Sequence, residues 1–363
     1  MYLRACCAIA ACCWGISFSL LAAAANPSSA DNDQAADSAT GTSVPQPKKR
    51  LTAQERIAAR RAPKPAANQP ETPEEHRQRL ARLAANGVEP WPAESAGDHA
   101  EALARSRKMI SEVLSLLPGM RVYETDHFFF VSNITSDTVA PYIRSLDKMY
   151  DSMCELYGVR AGTPVWLGGK APVFAFKTQE QFSAFEQKYF EVPARDSQHL
   201  YGICHQSSRG DVVIACFQGE DANDFGQMLV HETSHGFIHR YKTKARLPSW
   251  VNEGMADVIG AEMVPKSMAV KTKEKSALAI LRERHSLGGD FFTAEPIHDW
   301  QYGVASSLTR FLMETDRQSY VRFIEGLKAG QKWPIALERA YNGTPDQLVT
   351  QYGQSIGVPD LRP

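Results

Sequence analysis

The sequence predicts an α+β fold: a small mixed N-terminal sheet with an edge hairpin, then a long helix bearing paired histidines, then an all-helical C-terminal part. Three observations carry that expectation. Strand-length runs rich in Val, Ile, Phe and Tyr fall within residues 123–217. A helical stretch then holds His231 and His235 four positions apart. Beyond Asp257 the apolar residues recur at helical spacing.

Composition narrows the partners. Of 363 residues, 43% are hydrophobic and 22% charged, as in soluble globular proteins with enough chain for a proper core. The formal net charge is −1 and no basic patch carries interleaved aromatics, so no nucleic-acid partner is expected.

Residues 1–25 read as a signal peptide. Arg4 forms a short positive start, residues 5–24 are apolar, and the Ala22 to Ala25 run offers small-residue cleavage choices before Asn26. The chain is therefore expected to be exported, periplasmic or secreted, with no stable membrane insertion after leader cleavage. The alternative is an uncleaved anchor in the envelope, because the apolar stretch approaches the ~20 residues that span a bilayer. Residues 26–73 are rich in Ala, Pro, Ser, Asp and Lys and poor in large apolar side chains, the composition of a disordered linker. A helical N-terminal extension is expected over 74–117, with helices at 74–85 and 99–117, and residues 118–363 form the main domain.

Within that domain, residues 123–132 read as a strand and 137–157 as a helix. Residues 164–176 form a second β region interrupted by Gly168 and Gly169, and 178–190 a helix with Phe182, Phe185 and Phe190 in the core. Residues 200–217 read as a hairpin around Ser207 to Asp211. Cys204 and Cys216 are symmetric about Gly210, so a cross-strand disulfide and two buried thiols are both open. Cys154 shares a helical face with Leu146, Tyr150 and Tyr157, the position of a core residue.

The helix expected over 221–241 carries the chemistry. It contains His231, Glu232, Thr233, Ser234 and His235, and i,i+4 spacing puts both imidazoles on one face, where they can share one Zn2+ ion. Glu232 adjoins the first ligand and can act as general base toward a metal-bound water, whose pKa zinc lowers to about 7. A catalytic zinc usually has three protein ligands and an open position. Glu253 is the candidate for the third, on a second helix starting near Pro248 and Ser249, with Ser249 or Asn252 available to cap it. Asp257 falls one turn after Glu253 and can accept the free ring N–H of a ligating histidine. Gly254 and Ala256 are small enough for close helix approach. A third histidine in the metzincin pattern would stand where Tyr241 stands, so that subclass is excluded. His239 lies about 12 Å along the helix from His231, too far to share the ion.

Helices follow at 274–283, 300–315, 320–327, 334–341 and 345–356. Hydrolysis at a carbonyl builds negative charge on its oxygen, and a neutral donor lowers that barrier. Tyr302, at the head of a helix after a loop, is the first choice for that catalytic role; His298 and His285 are rivals.

These residues resemble the gluzincins, the thermolysin-like clan of zinc metallopeptidases whose third ligand is a glutamate on a following helix. The run Trp250, Val251, Asn252, Glu253, Gly254, Met255, Ala256 resembles a segment of that clan's aminopeptidases. Their glycine-x-methionine-glutamate-asparagine motif is absent, and the interval from His235 to Glu253 differs from theirs. The likeness is closer to the bacterial peptidase-MA-like proteins, in which a helix beginning with tyrosine follows the glutamate helix, as Tyr302 to Leu308 does here. The resemblance covers roughly residues 120–355 and implies a zincin-like fold with one hairpin strand binding a polypeptide by strand addition.

The reading is an exported zinc-dependent peptidase. Two alternatives are a non-proteolytic, zinc-stabilised envelope binding domain and a zinc amidohydrolase acting on peptidoglycan.

Overall fold

The computed structural model describes residues 72–363. The expected signal peptide, and the expected linker up to residue 71, lie outside the described residues. Helix α1 (Pro73–Ala85) is opened by a capping box between Thr72 and Glu75. Helix α2 (Ala96–Leu116) is opened by another between Ser95 and Asp98, which starts it three residues before the expected His99.

Five strands follow: β1 (Arg121–Glu124), β2 (Phe128–Ser132), β3 (Ala171–Phe176), β4 (Gly202–Gln206) and β5 (Val212–Phe217). They form one sheet in the order β1-β2-β3-β5-β4. The central strands β2, β3 and β5 are parallel, and both outer strands are antiparallel to their neighbours. The expected single run at 123–132 is a hairpin instead. Thr125 Oγ1 accepts the amides of His127 and Phe128 and turns the chain there. The second β region is shorter than expected, because Gly168 and Gly169 adopt φ of +74° and +79° and keep the preceding residues out of the ladder.

Parallel strands need crossovers. Helix α3 (Ser136–Leu156) links β2 to β3, while α4 (Gln179–Phe190) and the short α5 (Ala194–Ser197) lead from β3 to the β4–β5 hairpin. The central strands are therefore buried on both faces. Phe128, Phe130, Val173 and Ile214 pack with Leu146, Met149, Leu229 and Phe237 on one side. Phe129, Val131, Phe174 and Phe176 pack with Ile110, Val113, Phe182 and Phe185 on the other. Each such side chain removed from water contributes roughly 1.5–3 kcal/mol.

The hairpin register settles the cysteines. Cys204 pairs with Ile214 and Cys216 with Gly202, so the strands are related about Arg209 rather than Gly210. The two thiols lie on a diagonal, where Cα atoms stand about 7–8 Å apart, beyond ordinary disulfide reach. Both are free and buried; Cys154 is free and partly buried.

After β5 the described chain is helical. Helix α6 (Ala222–Arg240) is followed by α7 (Ser249–Met263), α8 (Ala269–Arg284), α9 (Gln301–Thr315), α10 (Arg317–Lys328), α11 (Trp333–Tyr341) and α12 (Pro345–Ile356). The fold is mixed α+β, with a small mixed sheet and a helical C-terminal part. No helix among the described residues is long and apolar enough to cross a membrane.

Candidate metal centre

The paired histidines sit in the best-buried helix of the site. Asp221 caps α6 by accepting the amides of Asn223 and Asp224, and every residue from Phe225 to Ile238 is buried. Contact with the sheet is close at Gly236, where an added Cβ would stand 2.6 Å from Val212 Cγ1. At the far end, buried Lys328 donates to the carbonyl oxygens of Ile238 (2.9 Å) and Ala245 (2.8 Å). An ammonium at a helix C-terminus suits the helix dipole. Burial, with Arg240 nearby, pushes Lys328 down to about 7.

Helix α7 supplies the carboxylates, and its start corrects the expected cap. Neither Ser249 nor Asn252 caps it; Pro248 holds the N-cap position without a side-chain bond. Glu295, from the loop before α9, accepts the Ser249 amide (3.0 Å) and the Ser249 hydroxyl (2.8 Å). Gly254 permits a close crossing with α9: an added Cβ would stand 2.3 Å from both Ala305 O and Thr309 Oγ1.

The two helices bring His231, His235 and Glu253 together, all buried, with one ligand atom from each inside a 4.8 Å span. His231 Nε2 lies 3.1 Å from His235 Nε2. Glu253 Oε2 is 3.4 Å from His231 Nε2 and 3.6 Å from His235 Nε2. An ion held tetrahedrally at about 2.0–2.2 Å separates its ligand atoms by about 3.3–3.6 Å, so these residues fit a small divalent cation. Burial acts to raise the Glu253 carboxyl, but the charges and ring donors of His235 and His231 outweigh it and hold the group far below the usual range.

Asp257, one turn beyond, is fully buried. Its Oδ1 is 3.0 Å from His231 Nδ1 and 2.8 Å from Lys273 Nζ of α8. Burial favours the neutral acid, yet the Lys273 charge and then His231 bring the carboxyl below its ordinary value. Nothing in the sequence pattern signals Lys273: it is joined to Asp257 only by the packing of α8 against α7.

Glu232 is 5% exposed and packs under the outermost strand. A Cβ on Gly202 of β4 would meet Glu232 Cγ at 3.0 Å and Cys216 Sγ at 2.7 Å. Burial raises the Glu232 carboxyl, and the charge of Glu253 adds to that against the pull of His231 and His235. On the opposite side of β4, His205 is held 2.8 Å from the buried Glu186 and stacks on Phe190, which anchors the strand to α4.

Tyr302 is buried at the head of α9, one turn before the Ala305 that presses on Gly254. Its two rivals are engaged at the surface: His285 Nδ1 is 2.6 Å from Asp360 and His298 Nε2 is 2.9 Å from Asp290. His239 packs edge-on against Trp91 and faces Ser207 O, remote from the cluster in role. Burial, then the charge of Lys328, pushes it down to about 4. The chain matches no protein-family model, and no curated protein matches it.

Proposed function

We propose that this chain is an exported, zinc-dependent peptidase of gluzincin type, built on a zincin-like core and acting on extended polypeptides. The observation that carries the reading is the convergence of His231, His235 and Glu253 from two helices, with Glu232 beside the first ligand. Two imidazoles and one carboxylate are a donor set of catalytic zinc sites. Zinc held there would act as a Lewis acid and lower the pKa of water to about 7.

The chain's own residues supply the rest. Glu232, its basicity raised by burial, takes the proton of the attacking water and passes it to the leaving amine. Strand β4 ends the sheet, so its outer backbone groups are suited to holding an extended peptide beside Glu232. Recognition through the backbone favours broad side-chain preference. Tyr302 is assigned as donor to the carbonyl oxygen as charge develops there. Export rests on the leader read over residues 1–25.

Metal analysis of the purified protein, with turnover of an unstructured polypeptide by Glu232→Gln, tests the proposal. The variant is expected to keep its zinc and lose turnover. A wild type without zinc, or a variant as active as wild type, refutes it.

A further inference from the structure

We propose that Lys273 is a positioning residue of the metal centre, acting through Asp257 on His231. The inference rests on the metal reading above and extends it to a helix that contributes no ligand.

The geometry is a chain of three groups. Asp257 Oδ1 is shared between His231 Nδ1 at 3.0 Å and Lys273 Nζ at 2.8 Å. The other oxygen, Oδ2, is buried without a hydrogen-bond partner among the described residues. All polar compensation for a fully buried carboxylate therefore falls on Oδ1. His231 alone cannot supply it, since a ligating imidazole is neutral and offers one N–H. Lys273 provides the second donor to Oδ1, at 2.8 Å, and holds the carboxylate turned toward the ring. A carboxylate held that way fixes the His231 tautomer, with Nε2 left to bind metal.

The backbone that carries the lysine is closely packed. An added Cβ on Gly303 of α9 would lie 2.2 Å from Lys273 O, so α8 and α9 touch there without slack. The contact runs beside Tyr302, linking the ligand-orienting chain to the helix that bears it.

The test uses the full chain and reads metal binding rather than turnover. Zinc affinity is measured by competition with a chromophoric chelator, and the visible spectrum is recorded with Co2+ in place of zinc. Lys273→Met is expected to weaken zinc about tenfold, the lower end of the range for partners of a ligating histidine, and to shift the Co2+ bands. Lys273→Arg is expected to restore both. In the Asp257→Asn background, Lys273→Met is expected to add nothing, because its route is already cut. The same loss is expected of Lys273→Gln, which carries the test should the methionine variant not fold. Wild-type affinity and spectrum in Lys273→Met, or effects of Lys273→Met and Asp257→Asn that simply add, overturn the proposal while leaving the metal centre standing. A wild type that binds neither zinc nor Co2+ overturns both.

Discussion

Gly202 lies directly against Glu232: a methyl group in place of its hydrogen would stand 3.0 Å from Glu232 Cγ. The outermost strand of the sheet thus passes over the proposed general base with no room for a side chain. Strand and helix meet there because β4 turns Gly202 and Cys204 toward α6, and Gly236 lets the two approach. The edge strand proposed to pair with substrate and the proposed base are thereby held in close contact.

Replacing Gly202 by alanine tests that contact. The new Cβ also meets Cys216 Sγ at 2.7 Å, so strand or helix must move. Overpacking of this kind costs about 1–3 kcal/mol. Chemical denaturation should show that loss, zinc content should stay at the wild-type level, and turnover should fall. Unchanged turnover would mean that β4 and Glu232 do not act together.

Glu253 should decide whether metal stabilises the fold. At zinc one hundred times its Kd, binding to the native state alone adds about 2.7 kcal/mol. A thermal shift on adding zinc, reversed by chelator, is expected for the wild type. For Glu253→Ala at the same zinc concentration the shift should largely vanish. A full shift in that variant would remove Glu253 from the ligand set.

Gly254→Ala should be the more damaging glycine substitution. Its Cβ would meet the Ala305 carbonyl oxygen at 2.3 Å, and backbone cannot swing aside as a flexible side chain can. Helix α7 must then move away from α9, carrying Glu253 with it. Both stability and zinc affinity are expected to fall below those of Gly202→Ala, by denaturation and chelator competition.

Lys328 sets a pH dependence of known sign. Its folded value is pushed down to about 7, against about 10.4 in an unfolded chain. Between these values the unfolded state binds more protons at this group, so the penalty for burying the ammonium is fully present below pH 7. That penalty is relieved as pH rises, by at most about 1.4 kcal/mol per unit. Lys328→Met should lack this slope. Urea denaturation of both proteins from pH 6.5 to 8.5 reads the difference, and parallel curves would contradict the assignment.

His239 acts on the acid side. Burial takes it down to about 4 from an ordinary value near 6.5, so the unfolded chain takes up this proton first as pH falls. Stability from this group is present above pH 6.5 and lost between about 6.5 and 4. His239→Gln is expected to unfold less steeply across that interval, measured by denaturation at fixed temperature.

The helix of His231 and His235, the neighbouring Glu232, and the helix of Glu253 and Asp257 were legible in the sequence. Each is a matter of spacing along one helix, and backbone geometry turns four residues into one face wherever the helix forms. Most strand-length runs and the helical C-terminal part were legible for the same reason, since periodicity is local. Tertiary structure alone decided the rest. It set Lys273 against Asp257, Gly202 over Glu232 and Glu295 at the start of α7, and it shifted the hairpin so that Cys204 and Cys216 fall on a diagonal. None of these contacts follows from residue type or spacing. Which faces abut, and in what register, depends on how many buried side chains fill the space between elements, a sum over the whole core that no short stretch of sequence contains.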